Sequence, residues 1–162
     1  MEIRKATPAD FDTVTKIYAN ARRFMREQGN PDQWGDNYPP TELLREDIAS
    51  QSLYLCVDGE EILGAFFFTV GDDPAYRVIC DGKWLNDAPY GVIHRIAVAK
   101  QGRGVAAFCF DFALSQCKNV KIDTHKDNIP MQRALEKRGF ARCGIIYLEN
   151  GDERIAYQKS LL

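Results

Sequence analysis

The residues with the clearest chemical potential lie in one stretch, Val92-Ile93-His94-Arg95-Ile96-Ala97-Val98-Ala99-Lys100-Gln101-Gly102-Arg103-Gly104-Val105-Ala106. An apolar run ends there, the chain turns through Gly102 and Gly104, and an apolar helical pattern begins. The free N–H groups of a helix start, with the positive end of its dipole, make a ready anion site. Glycine lets the main chain approach a phosphate with no Cβ in the way, and Ala106 keeps that approach open one step into the helix. Lys100 and Arg103 could add charge at the rim. Taken alone, the turn is equally compatible with a tight strand–helix connection. The chain lacks GxGxxG and GxxxxGK[ST], so neither a dinucleotide fold nor a P-loop is expected.

His94 precedes this turn within the apolar run. Imidazole accepts a proton near pH 7, and strand alternation places His94 on the side of Val92, Ile96 and Val98. A histidine in a buried strand can equally be a structural hydrogen-bonding group. Two further segments, Gly29–Pro40 with Trp34, Asp36 and Tyr38, and Asp81–Tyr90 with Trp84 and Asp87, combine aromatic faces with carboxylates. That combination suits a cationic amine, and it also commonly pins long loops to a surface. The five cysteines, Cys56, Cys80, Cys109, Cys117 and Cys143, show no CxxC spacing and read as buried thiols. His94 and His125 follow no paired-ligand pattern, so no metal is expected. His125 reads as a solvent-facing loop residue.

These side chains must be positioned by a modest chain. Its 162 residues suit a single domain spanning 1–162, with 45% hydrophobic and 27% charged residues in a globular balance. A net charge of −2 offers no basic face for nucleic acid. No apolar run approaches the roughly 20 residues that span a bilayer, so no membrane partner is expected. MEIRKATPAD has no apolar signal region, and the cytoplasm is the expected location.

The elements follow from pattern. Glu2–Ala6 reads as a strand, and Thr7-Pro8-Ala9-Asp10 as a helix start, with Phe11, Val14, Ile17 and Tyr18 at helical spacing up to about Gln28. A second helix starts near Thr41. Ser52–Val57 and Glu61–Val70 flank the turn pair Asp58-Gly59, a strand is expected through Tyr76–Cys80, and Gly91–Ala99 reads as a buried central strand. A helix to Cys117, a strand Val120–Thr124 and a helix Asn128–Arg138 come next. Strands Ala141–Leu148 and Arg154–Lys159 close the chain through Asn150-Gly151.

The spacing Gln101-x-x-Gly104-x-Ala106 resembles the Q/R-x-x-G-x-G/A motif of the GNAT superfamily of acyl-CoA N-acyltransferases. The following strand, a helix opening with Asn128 and a close at Gly139-Phe140 match that family too, as does the order of elements from Glu2 to Lys159. The resemblance implies a mixed α/β (α+β) fold: a central, mostly antiparallel sheet flanked by helices, with one splayed pair of parallel strands. It implies acetyl-CoA as co-substrate, its pyrophosphate on the amides of Gln101, Gly102, Arg103, Gly104, Val105 and Ala106. The pantetheine would run beside Ile96, Ala97 and Val98, and Asn128 would bind it or close the gap, or simply cap its helix. His94 becomes the candidate catalytic base, and a main-chain N–H near Val98 the oxyanion donor. Trp34, Tyr38 and Trp84 become candidate contacts for an amine acceptor. The family's usual tyrosine acid, seven residues after the asparagine, is Leu135 here. Water, Tyr147 or Tyr90 would have to replace it, although both tyrosines also suit packing. Cys109 and Cys117 show no histidine partner, so direct transfer in a ternary complex is expected over an acyl-cysteine. Homodimers are common in the family, and the resemblance admits one. A non-catalytic acyl-CoA-binding or sensor module, or a structural domain with a vestigial cradle, are the other readings.

Overall fold

The computed structural model describes residues 1–162. The chain opens with an edge strand, β1 (Glu2–Lys5), paired antiparallel with β2 (Leu53–Asp58). It then turns at Thr7, whose N–H donates to Asp10 Oδ2 at 2.8 Å, while Arg4 clamps the same carboxylate at 2.8 and 2.9 Å. Pro8–Asp10 forms a 3₁₀ turn that leads into α1 (Phe11–Glu27). Val14, Ile17, Tyr18 and Ala21 recur at helical spacing and are the buried stripe of α1. α2 (Thr41–Ala49) buries Leu44 and Ile48 beside it.

The remaining elements are β3 (Glu61–Val70), β4 (Gly91–Val98), α3 (Val105–Cys117), β5 (Asn119–Thr124), α4 (Ile129–Lys137), β6 (Ala141–Tyr147) and β7 (Glu153–Ser160). They build a seven-stranded sheet in the order β1-β2-β3-β4-β5-β7-β6. Every neighbouring pair is antiparallel except β4 and β5. This is the mixed α/β architecture expected from the pattern of elements, with the mostly antiparallel sheet that the resemblance implied. The parallel pairing is confined to Gly91 with Val120 and Val92 with Lys121, and beyond it the two strands part.

One face of the sheet carries α3 and α4, with Phe66, Ile93, Ile96, Val105, Phe110 and Leu135 in a common cluster. The other carries α1 and α2 over Leu55, Ala65 and Ala97. At its far end a smaller cluster of Tyr76, Val92, Ile146 and Ala156 lies under the segment between β3 and β4. No helix is long and apolar enough to cross a membrane.

Two expectations are corrected here. Tyr76–Cys80 is not a strand. Pro74 presets a turn, Asp73 Oδ1 accepts from the Ala75 N–H at 2.9 Å, and Pro74–Tyr76 closes as a 3₁₀ turn, leaving Cys80 a single bridge to Ile145. His94 also does not share a face with Ile96 and Val98. Pairing runs from Phe67 with His94 to Ala65 with Ala97, so β4 holds one more residue than β3 over that interval. The bulge lies at Arg95, whose φ is +51°. It reverses the alternation, returning Ile96 to the α3 face of Ile93 while His94 stays on the opposite one.

Candidate active site

The turn after β4 has the geometry of an anion cradle. Gly102 (φ +81°) and Gly104 (φ +71°) are both left-handed, and a Cβ built on either would meet nothing within 4 Å. That conformation favours glycine. From Gln101 to Ala107 no main-chain N–H donates to a protein acceptor, and Gly104 heads α3 with no side-chain cap. The amides are therefore unspent, with residues 101–104 exposed, beside the positive end of a helix. Lys100 and Arg103 stand at the rim, but both are engaged by the β2–β3 hairpin. Lys100 Nζ lies 3.1 Å from Glu61, and Arg103 lies 3.1 Å from Glu61 and 3.3 Å from Asp58.

Where β4 and β5 part, a cleft of about 550 Å³ opens through the sheet. On the α3 and α4 side its walls are Ile93, Ile96, Ile122, Thr124, Asn128 and Met131; on the α1 side they include His94, Asp73, Arg95, Trp34 and Tyr38. His94 Nε2 lies 2.7 Å from Asp73 Oδ2, and its ring packs near Phe67 and Tyr76. The hydrogen bond from His94 holds the Asp73 carboxyl below its ordinary range. With Nε2–H directed at a carboxylate, Nδ1 is left to accept a proton. The Tyr76 hydroxyl donates to Asp123 Oδ2 at 2.6 Å, and burial followed by that carboxylate pushes its pKa well up. Thr124 Oγ1 is buried on the cleft without a hydrogen-bond partner in the protein.

Arg95 is held on every side. Its guanidinium makes a two-pronged pair with Asp47 (2.9 and 3.0 Å), stacks 4.5 Å from the centre of Phe67, and lies 3.3 Å from the Tyr38 hydroxyl. The Arg95 carbonyl accepts from the Tyr18 hydroxyl at 2.6 Å. Burial opposes the charge on Arg95, but Tyr38 and Asp47 outweigh it and raise its pKa. A left-handed non-glycine residue costs about 1–2 kcal/mol, so these contacts have a strain to overcome.

The segment after α1 closes one end of the cleft. Gln33 Oε1 accepts from Asn30 Nδ2 (2.8 Å) and Asn128 Nδ2 (2.9 Å), and the Gln33 carbonyl accepts from Arg154 (3.2 Å). Asn128 Oδ1 meanwhile accepts from the Met131 N–H at 3.2 Å, the N-cap bond of α4. Both polar atoms of Asn128 are thus spoken for inside the protein, while the residue still lines the cleft.

Of the residues singled out from sequence, the cleft gathers His94, Ile96, Asn128, Trp34 and Tyr38. The turn from Gln101 to Ala106 lies just past the end of β4, with Val98 packed towards α3 and Ala97 buried under α1 and α2. Trp84 lies elsewhere. Its Nε1 donates to the Tyr76 carbonyl at 3.0 Å, and with Tyr90 it encloses the buried Lys121 ammonium at 4.1 and 3.8 Å. Leu135 is fully buried and Tyr147 half-exposed outside the cleft, and the Tyr90 hydroxyl is bonded to Asp72 and Asp73, so Tyr38 is the tyrosine on the cleft wall. His125 is not a solvent-facing loop side chain: its Nδ1 accepts from the Asp127 N–H at 3.0 Å, and burial followed by Arg154 lowers its pKa. Sequence reasoning passed over Asp73, Asp123, Arg95 and Thr124. The Asp73-Pro74 pair, a turn opener, was the one local signal available for any of them.

The model of the Acetyltransferase (GNAT) family matches residues 14–140. A GNAT-family acetyltransferase structure from Streptococcus agalactiae is 30% identical, with 99% of this chain and 95% of that one covered and a TM-score of 0.90. One from Listeria monocytogenes is 20% identical over 99% and 94% of the chains, TM-score 0.70. The yncA structure from Salmonella typhimurium, solved with its cofactor acetyl-CoA, is 16% identical over 99% and 94%, TM-score 0.66. These last two share the fold. No curated protein matches the chain at a significant level.

Proposed function

The chain belongs to the GNAT acetyltransferase family, and from that premise we propose that it transfers the acetyl group of acetyl-CoA directly to a primary amine held on the α1 side of the cleft. Family members use acetyl-CoA, and the chain's own residues suit it: the unspent amides from Gln101 to Ala107 match a pyrophosphate's need for donors. The observation that carries the reading is the parting of β4 and β5 after Val92, because it leaves β4 unpaired on that side between the turn and a cleft holding a histidine–carboxylate pair.

The roles follow from geometry. The edge of β4 beyond Val92 has no strand partner on the β5 side, so an extended pantetheine can run along it as an added strand. Ile93, Ile96 and Ile122 supply apolar walls for the thioester. An alkyl amine has a pKa near ~10.4 and arrives protonated, so a base must take a proton before attack. His94 takes it at Nδ1, with Asp73 fixing the tautomer and offsetting the imidazolium charge. The amine nitrogen then bonds to the acetyl carbon, the C–S bond breaks, and water relays the second proton from that nitrogen to the departing thiolate. Main-chain N–H groups of β4 near Val98 face the developing oxyanion. Trp34 and Tyr38 offer aromatic faces to a cationic acceptor, and the carboxylates of Asp32 and Asp123 offer it opposite charge.

The test is CoA release from acetyl-CoA with a panel of small amines, amino acids and peptide N-termini. Turnover with at least one amine is expected. Tight acetyl-CoA binding with no turnover across the panel would favour a sensor module instead.

A further inference from the structure

We infer that Tyr18, Asp47 and the Arg95 side chain form a positioning clamp that holds the β4 bulge in the register acetyl transfer needs, and that Tyr38 couples this clamp to the acceptor loop. The inference rests on the acetyl-transfer reading above and assigns work to side chains that make no hydrogen bond to the cradle or to the His94–Asp73 pair.

Three observations carry it. The first is the strain: Arg95 is a bulky, non-glycine residue in the left-handed region, and such residues persist where their surroundings overdetermine them. The second is how the strain is held. The Tyr18 hydroxyl, fully buried in α1, donates to the Arg95 carbonyl at 2.6 Å, and Asp47 of α2 grips the guanidinium with both oxygens. These contacts come from two helices and restrain both the main chain and the side chain of one residue. An ion pair with side chains 11% and 6% exposed is an expensive feature unless its fixed geometry is of use. The third is location. The bulge begins directly after His94 and returns Ile96 to the α3 face, so it lets the base look towards the α1 side while Ile96, two residues on, faces the other. Removing it would turn either His94 or Ile96 and Val98 to the wrong face. Tyr38 then links the arrangement to the acceptor side, because its hydroxyl meets Arg95 Nη1 at 3.3 Å while its ring pairs with Trp34.

The test uses the full chain as wild type, Tyr18→Phe, Asp47→Asn and Tyr38→Phe. CoA affinity and thermal stability are measured beside steady-state kinetics and the ¹³C shift of carbonyl-labelled acetyl-CoA bound without acceptor. Tyr18→Phe removes one oxygen and keeps the ring, so it carries the test if Asp47→Asn fails to fold. Tyr18→Phe is expected to lower kcat roughly tenfold and Asp47→Asn roughly 100-fold, with CoA affinity nearly unchanged, because small misplacements of reacting groups are costly. In both, the bound carbonyl shift moves back towards its value in free acetyl-CoA. Tyr38→Phe is expected to raise the amine KM more than it lowers kcat. Wild-type kcat and carbonyl shift in Tyr18→Phe would overturn the clamp. So would a loss of CoA affinity in step with the loss of kcat, which marks general structural damage. Failure of the wild type to bind acetyl-CoA would instead remove the acetyl-transfer reading, and the carbonyl shift separates the two without a known acceptor.

Discussion

At the scale of single residues, the proposed mechanism rests on a short contact between an imidazole and a carboxylate. His94 reaches Asp73 at 2.7 Å across 21 residues of chain. If His94 is the base, His94→Gln keeps a polar side chain of similar size but cannot hold the proton. We expect kcat to fall by 10²–10⁴ while CoA affinity changes little, since general base catalysis contributes about that much. Calorimetry with CoA beside steady-state kinetics checks it, and an unchanged pH–rate profile would remove His94 from the mechanism. Asp73→Asn should act more mildly. Loss of the carboxylate frees the His94 ring to turn and removes the partner of the imidazolium, so kcat should fall with CoA affinity unchanged, which initial rates beside calorimetry would read.

At the scale of elements, the cradle is a strand end, a turn and a helix start made to leave amides free. Gly104 has φ +71° with open space where a Cβ would go, so Gly104→Val strains the turn without colliding with the core. A cost of about 1–2 kcal/mol is expected for the left-handed valine, which the domain should survive. On the proposed placement of the pyrophosphate the added side chain blocks its approach to the main chain, so CoA affinity should fall at least tenfold while the circular dichroism spectrum stays that of the wild type. Normal affinity in this variant would move the cofactor site elsewhere. The same element logic explains Trp84. It pins the segment between β3 and β4 by closing over Lys121, and that segment is what presents Asp73 to His94.

For the whole molecule, ligand binding and pH give independent handles. A ligand that binds only the native state at about 100 times its Kd stabilises it by about 2.7 kcal/mol, which for a chain of this size raises Tm by roughly 5–10 °C. Acetyl-CoA should do this for the wild type and not for Gly104→Val, as scanning fluorimetry would show. Acid sensitivity has a local source too. Arg4, with help from Thr7, lowers the pKa of Asp10 from 3.8 to about 2. A depressed carboxylate stabilises the fold fully above its unfolded value, and that contribution is lost as pH falls from 3.8 to about 2. Because Arg4 is well exposed, solvent screening limits the effect to on the order of 1 kcal/mol. Urea melts of wild type and Asp10→Asn should differ at pH 6 and converge near pH 2.

The order of elements, the hairpins and the cradle were legible in the sequence because local features encode them. Glycines at Gly102 and Gly104 permit the turn, an apolar stripe from Val105 makes the helix, and turn pairs such as Asn150-Gly151 mark chain reversals whatever lies nearby. The face taken by His94 was not legible. It depends on a bulge opposite Phe66, held by Tyr18 and Asp47 from elements far away in sequence, and no periodicity within β4 announces an inserted residue. Asp73, Arg95 and Thr124 gain their significance in the same way, from where the sheet brings them. Backbone habits are written over a few neighbouring residues, whereas the direction of a side chain and the company it keeps are decided by long-range packing, which only the tertiary structure contains.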